Sequence, residues 1–291
     1  MHSPEQLLAD SSVLRLVQIA LQEDIGSGDI TTESLFVGVE TPLARGAIVF
    51  KQPGVVCGLP IAALVFRELS PEVLLEPKVD EGGEVDAGTV VAELIGPAPA
   101  ILTAERTALN FLQRMSGVAT LARRFVKAVE GTGARITDTR KTIPGWRRLD
   151  KYAAAIGGAV NHRMGLYDMV LVKDNHIAAA GSLRAAVERC RRECPDGVFI
   201  EVEAHSLREV QEALECEGIG RILLDNMTPE QVRQAVELIG GRVETEASGG
   251  ITLENVRQYA LTGVQYISVG AITHSAPAVD ISLELIIARL L

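Results

Sequence analysis

The sequence predicts an α/β barrel, and three observations predict it. Across residues 118–273, short apolar runs alternate with amphipathic stretches, the pattern of βα units and a parallel sheet. Lys173, Glu203, Asp225, Ser248 and Gly270 each close such a run, and the last four lie 22, 23 and 22 residues apart, one βα unit each time. Of 291 residues, 47% are hydrophobic but only 4% aromatic, so aliphatic residues and Ala make the core, as buried parallel strands under helices require.

The first region runs to about Gly117. Asp10-Ser11-Ser12 caps a helix whose apolar face is Val13, Leu14, Leu16, Val17, Ala20 and Leu21. A loop is expected over 23–32, then short strands at 45–51, 73–77 and 90–95 between Gly and Pro punctuation. Gly82-Gly83 and Asp86-Ala87-Gly88 resemble turns of a flattened β hammerhead. Thr103 is expected to cap a helix through Met115 that carries Arg106.

In the second region the expected strands are 135–138, 169–173, 199–203, 222–225, 243–248 and 266–270. The expected helices are 182–194, 206–217, 228–239 and 252–261, each opening on a Ser or Thr N-cap. Residues 276–291 read as an amphipathic segment without a further strand, packing back on the first region.

Charge and cysteine usage exclude several function classes. A net charge of −10 gives no global attraction to nucleic acid or to an anionic membrane, and aromatic platforms for bases are scarce. The start MHSPEQLLADSS has neither a basic head nor an apolar run, and no apolar stretch reaches ~18 residues, so neither a signal peptide nor a transmembrane helix is expected. Of Cys57, Cys190, Cys194 and Cys216, the pair Cys190 and Cys194 sits four apart, which fits no common zinc-ligand pair, and four small half-buried thiols suit a reducing compartment, so a cytoplasmic protein is expected.

In a βα barrel the C-terminal strand ends ring one mouth, where ligands bind. An apolar strand that ends in Lys, Glu or Asp leaves a charge beside the core unless it has a partner or a ligand. Ser248-Gly249-Gly250 and Gly270 stand at the ends of the last two strands, where glycines let backbone N–H groups approach a phosphate. Residues 135–176 hold eight Lys or Arg against four Asp, a net of +4 in a chain of −10, which points to a local anion site. Arg140, Lys141 and Lys173 sit at or just past strand ends, whereas Arg147, Arg148 and Lys151 read as a solvated basic face. His162 lies inside the basic cluster and His274 just past the last strand. Glu203 and Asp225 are the acidic counterparts, suited to Mg²⁺, to sugar hydroxyls or to developing positive charge.

With these residues placed, the chain resembles the quinolinate phosphoribosyltransferase family. The matching stretches are EDIGSGDITT (23–32), ERTALNFLQRMSG (105–117), TRKTIPGWR (139–147), NHRMGLYDMVLVKDNH (161–176), EVEAHSL (201–207), LLDNM (223–227), EASGGIT (246–252) and SVGAITHSAPAVD (268–280), in family order. Ala204-His205 is a modest departure from the family's pattern. The resemblance implies an irregular, open α/β barrel over 118–273 and an N-terminal α/β sandwich-like domain over 1–117, completed by 274–291. It implies transfer of phosphoribosyl from phosphoribosyl pyrophosphate to quinolinate with Mg²⁺, giving nicotinate mononucleotide, pyrophosphate and CO₂ in NAD biosynthesis. By resemblance, Arg106, Arg140, His162 and Arg163 hold quinolinate, and Lys141 and Lys173 contact it or the pyrophosphate. Glu203 and Asp225 hold ribose hydroxyls and Mg²⁺, Ser248, Gly249, Gly250, Gly270 and His274 take the 5′-phosphate, and Lys141, Glu203 and Asp225 are the catalytic groups. The family's Arg at position 106 reaches into the neighbouring subunit's site, which implies a homodimer or higher even oligomer with shared sites. The rival readings are a Schiff-base lyase using Lys173, a non-enzymatic carrier suggested by the turns near Gly82 to Gly88 although that stretch has no Lys to modify, and a related transferase with another pyridine or an unknown acceptor.

Overall fold

A computed structural model describes residues 3–287. The chain begins with helices α1 (Pro4–Leu8), α2 (Ser11–Ile25) and α3 (Ile30–Phe36), then strands β1 (Leu43–Phe50) and β2 (Gly54–Val55). Helix α4 (Leu59–Leu69), strands β3 (Leu74–Pro77), β4 (Glu84–Val85) and β5 (Val90–Pro97) and the long α5 (Ala98–Ala128) follow. Next come β6 (Arg135–Thr137), α6 (Arg147–Ile156), β7 (Val170–Val172), α7 (Asp174–Ala180), α8 (Leu183–Glu193), β8 (Ile200–Ala204) and α9 (Leu207–Leu214). The chain continues through β9 (Arg221–Asp225), α10 (Pro229–Ile239), β10 (Glu244–Ser248), α11 (Val256–Ala260), β11 (Tyr266–Ser268), α12 (Ala271–His274) and β12 (Ile281–Ile287). No helix among the described residues is long and apolar enough to cross a membrane.

By internal contacts the chain forms two units: one holds residues up to Arg123, Ile143–Gly157 and the segment from Ser275, the other Arg124–Thr142 and Gly158–His274. In the first unit, an antiparallel sheet runs in the order β12-β1-β5-β3, with α4 packed on α2 and β3. Asp10 caps α2 through Ser12 N, and Val13, Val17 and Leu21 are its buried stripe, four residues apart as helix periodicity demands. Residues 23–32 are not a loop. The helix continues to Ile25, the chain turns at Gly26 and Gly28 with φ of 56° and 143°, and Asp29 caps α3 by accepting from Thr32 N. Thr103 caps nothing, because α5 already starts at Ala98; its hydroxyl instead donates to Asp29. The expectation of no strand in the C-terminal piece is corrected too. Ile281–Ile287 pairs antiparallel with β1, from Phe50↔Ile281 to Ala44↔Ile287, because an edge strand needs only alternate apolar residues and one free neighbour. Residues 288–291 lie outside the described residues.

Lys151 overturns its assignment to a solvated face. It is only 1% exposed in α6, where the helix turns Leu149, Lys151, Tyr152 and Ala153 inward, while Arg148 pairs with Asp10 at 2.9 Å.

The second unit is a six-stranded, wholly parallel sheet in the order β6-β11-β10-β9-β8-β7. Strands β7 to β11 lie side by side in chain order, and the first strand, β6, joins the last. Val160 adds a parallel bridge on the outer side of Thr137, and no pairing closes β6 onto β7 among the described residues. This is an open α/β barrel. Helices α8, α9 and α10 are capped by Ser182, Ser206 and Thr228, but α11 starts only at Val256 behind Asn255, so the turn after Thr252 is not helical.

Gly117 shows how tightly α5 is enclosed in the first unit, since a Cβ there would come 2.1 Å from the Pro277 carbonyl oxygen. Backbone cannot yield as a side chain tip does. Gly117→Ala should therefore lower stability by about 1–3 kcal/mol, read as a fall in Tm; an unchanged melting curve would show that the 275–280 segment is not held against the helix.

Candidate active site

Parallel strands place alternate residues on one face. In β8 that face carries Glu201 and Glu203, in β9 Arg221, Leu223 and Asp225, in β10 Glu244, Glu246 and Ser248. Register pairs Glu203 with Leu223, Leu223 with Glu246, and Asp225 with Ser248. Each strand so contributes one group to the barrel interior and another to its mouth.

The mouth is a cavity of about 760 Å³. Its lining includes Arg140, Lys141, His162, Arg163, Lys173, Glu203, Asp225, Ser248, Gly249, Gly250, Gly270 and His274. Of the residues singled out in the sequence, Arg106 alone is not among them: it lies exposed on α5, in the first unit.

The cationic side is built on Asp138, fully buried just past β6. Its carboxylate accepts from Asn161 Nδ2 at 2.7 Å and from His162 N at 2.8 Å, which fixes the segment bearing His162 and Arg163. His162 Nδ1 accepts from Arg163 N at 2.9 Å, so the ring carries its proton on Nε2. Arg163 donates to the Met169 carbonyl at 3.2 Å. Burial, and then the nearby Arg140 guanidinium, pull the Arg163 pKa down. Arg140 has its Nε buried without a hydrogen-bond partner. Two crowded guanidiniums, one with an idle donor, are poised for an anion with more than one carboxylate or phosphate group.

Lys141 and Lys173 flank this pair. The Lys141 carbonyl accepts from Thr273 Oγ1 at 2.8 Å, and its side chain passes so close to Gly270 that a Cβ there would lie 3.0 Å from Lys141 Cδ and 3.2 Å from the His274 ring. Lys173 donates to Glu203 Oε2, so its ammonium is committed to a carboxylate partner and not free in the cavity as a Schiff-base lysine would be. Glu203 is 7% exposed, and its Oε1 lies 3.5 Å from His205 Nε2; Asp225 Oδ2 lies 3.6 Å from His205 Nδ1 and accepts from Asn226 Nδ2 at 2.5 Å. Ligand atoms of Glu203, His205 and Asp225 all fall within 4.8 Å of one another, so oxygen donors for a divalent cation are in place.

Gly249 and Gly250 adopt φ of 91° and 63°, and a Cβ on Gly249 would lie 2.2 Å from Asn226 Oδ1. The glycine pair is therefore required by close approach of the β9 and β10 ends, and it opens the backbone to the cavity. It does not lead straight into a helix, since α11 begins at Val256.

Beneath the mouth lies a buried polar layer that the sequence reading missed. Arg221 donates to Glu246 at 2.8 Å and to Glu244 at 2.7 and 3.1 Å, and its guanidinium stacks 3.9 Å from the Tyr266 ring centroid. Ser268 Oγ donates to Glu246 Oε1, and Thr137 and Ser268 hydroxyls meet at 2.9 Å. His162 Nε2 faces Glu201 Oε2 at 3.0 Å and Glu246 Oε1 at 3.4 Å. The two-residue spacing Glu201/Glu203 and Glu246/Ser248 was the available signal.

Residues 118–284 match the quinolinate phosphoribosyl transferase C-terminal domain, and residues 29–116 the N-terminal domain. The chain belongs to the quinolinate phosphoribosyltransferase family. A decarboxylating quinolinate phosphoribosyltransferase (1b) of Nicotiana tabacum is 42% identical over 289 residues, covering 93% of this chain and 81% of that one. The crystal structure of NadC from Streptococcus pyogenes is similar with a TM-score of 0.91 at 36% identity, covering 99% of each chain. The nicotinate-nucleotide pyrophosphorylase from Francisella tularensis matches with a TM-score of 0.90 at 37% identity over 95% of this chain and 96% of that one.

Burial pushes the Glu201 carboxyl from 4.5 up to about 7, against the pull of Arg221, Arg163 and Lys173. Burial and Glu201 together push Glu246 up to about 7, against His162, Ser268 and Arg221. A carboxyl whose folded pKa exceeds its unfolded one contributes stability that is full below about 4.5 and is lost as pH rises through about 7. Glu201→Gln cannot ionise, so its stability relative to wild type should rise by on the order of 3 kcal/mol between pH 4.5 and 8. Parallel unfolding free energies for the two proteins across that range would mean that the pair stays ionised throughout.

Proposed function

We propose that this chain transfers the phosphoribosyl group of phosphoribosyl pyrophosphate to quinolinate, with decarboxylation, giving nicotinate mononucleotide, pyrophosphate and CO₂. The observation that carries the reading is the crowded Arg140–Arg163 pair, with the buried Arg140 Nε lacking a partner, opposite Glu203 and Asp225 in one cavity. Quinolinate brings two carboxylates to the two guanidiniums. The ribose meets Glu203 and Asp225, and the 5′-phosphate meets Ser248, Gly249, Gly250, Gly270 and His274.

The pyridine nitrogen's lone pair forms the bond to ribose C1 as the C1–O bond to pyrophosphate breaks. Glu203 and Asp225 stabilise the positive charge that develops on the ribose, and Lys141 and Lys173 hold the departing pyrophosphate. The ring nitrogen becomes cationic. The bond from ring C2 to its carboxylate then breaks, the electron pair stays at C2 beside the cationic nitrogen, and a proton is taken up there as CO₂ leaves. Mg²⁺ belongs to the same reading: Glu203 and Asp225 are placed to hold it, and it would supply charge neutralisation at the pyrophosphate. A cytoplasmic location fits four unpaired thiols.

Nicotinate, with one carboxylate, would leave one guanidinium desolvated and unpaired. Each lost charge-assisted contact costs on the order of 1.5–3 kcal/mol, so kcat/KM for nicotinate should fall by at least about tenfold below that for quinolinate. Comparable values for both acceptors, with product masses confirmed, would overturn the assignment and favour another pyridine.

The same reading makes the protein a homodimer, or a higher even oligomer, with composite sites to which Arg106 contributes across the subunit boundary. Arg106→Ala and Lys141→Ala homodimers should each be nearly inactive. Subunit exchange should then create one site with both lesions and one with neither, restoring up to about half of wild-type activity per mixed dimer. No recovery despite confirmed exchange would remove Arg106 from the partner's site.

A further inference from the structure

The proposed function needs only oxygen ligands for its cation, yet the structure offers a nitrogen as well. His205 stands one residue past β8, and its ring lies between the two acidic strand ends, with Nε2 3.5 Å from Glu203 Oε1 and Nδ1 3.6 Å from Asp225 Oδ2. Glu203 is 93% buried and its other oxygen is committed to Lys173, so Oε1 is the atom it turns to this cluster. The backbone holds the ring there. His205 N donates to Glu209 Oε2 at 2.7 Å, and Ser206 directly after it caps α9.

Two ligands at adjacent positions around one ion stand about 3 Å apart. One donor atom from each of the three side chains lies within 4.8 Å of the others, close to that spacing. Hard oxygen sets suit Mg²⁺, whereas an added imidazole suits first-row transition metals. Resting on the proposed function, we infer that Glu203, His205 and Asp225 form a three-ligand site in this chain that selects a first-row transition cation such as Mn²⁺ over Mg²⁺. Its remaining positions face the cavity, open to substrate oxygens. The competing account is that the His205 ring makes only two long polar contacts to the carboxylates, worth little at a side chain 40% exposed.

Metal binding to the full-length protein without substrates separates the two. Mn²⁺ is titrated by loss of the free-ion electron paramagnetic resonance signal, and Mg²⁺ by competition against it. The wild type should bind Mn²⁺ more tightly than Mg²⁺ by about tenfold or more, and His205→Asn should bring the ratio close to one, since even groups behind a ligand shift affinity by about 10–100-fold. Pulsed resonance on bound Mn²⁺ should show nitrogen coupling from an imidazole in the wild type and none in His205→Asn. His205 is exposed, so the variant should fold, which circular dichroism checks. Absence of nitrogen coupling in the wild type, equal affinities for the two ions, or a preference unchanged in His205→Asn would each overturn the site. Transferase turnover with Mg²⁺ is measured separately: its absence beside a His205-dependent Mn²⁺ site would refute the function alone, and its presence without such a site would refute the metal preference alone.

Discussion

The second unit depends on a charged layer that its barrel cannot easily bury. Barrel interiors are filled mostly by branched aliphatic side chains. Here Glu201, Glu246 and Arg221 occupy that space, with both Glu side chains fully shielded from solvent. Removing such ions from water costs several kcal/mol each, and only good geometry offsets it. Arg221 supplies that geometry for Glu246 at 2.8 Å, and also holds the half-exposed Glu244 at 2.7 and 3.1 Å, while its flat face covers Tyr266. One acid remains in excess, and the raised pKa values of Glu201 and Glu246 express it.

Sheet order then arranges the mouth. Around the parallel sheet from β7 to β6, the strand ends present Lys173, Glu203, Asp225, the glycine pair and Gly270, with Arg140 and Lys141 following β6. The gap that keeps the barrel open lies between β6 and β7, on the side where Val160 leads into His162 and Arg163. Guanidiniums, carboxylates and glycines thus occupy successive arcs of one rim, which gathers positive charge locally in a chain of net charge −10.

The rim was legible in the sequence because a charge or glycine ends each apolar run, and burial makes such an ending expensive unless it serves a ligand. Lys173, Glu203, Asp225, Ser248 and Gly270 all line the cavity for that reason. Glu201 and Glu246 were not legible: inside a five-residue strand they break the apolar pattern without ending it, and only the pairing of Glu246 with Arg221 and of Glu201 with His162, on other segments, explains them. Lys151 went wrong because α6 belongs to the first unit's core, a tertiary fact that charge counting cannot see. The C-terminal strand was missed because its partner, β1, lies more than two hundred residues away in the chain. In the sequence His205 stands out only as a departure from the family's pattern, and the ring's position between two strand ends becomes visible only once β8 and β9 are paired.

Alternate residues on a strand are about 6.6 Å apart, so the interior acid and the mouth acid of β8 share one rigid column. His162 links that interior to the mouth from the other side, touching Glu201 and Glu246 through Nε2 while its Nδ1 holds the backbone of Arg163. Arg163 is therefore kept close to Arg140 against their repulsion, because Asp138 and His162 fix the segment that carries it. A ligand bearing two negative charges would offset that repulsion. Recognition should then rest on the number of negative charges the ligand brings more than on its outline, since the geometry is already set and only the charge is missing.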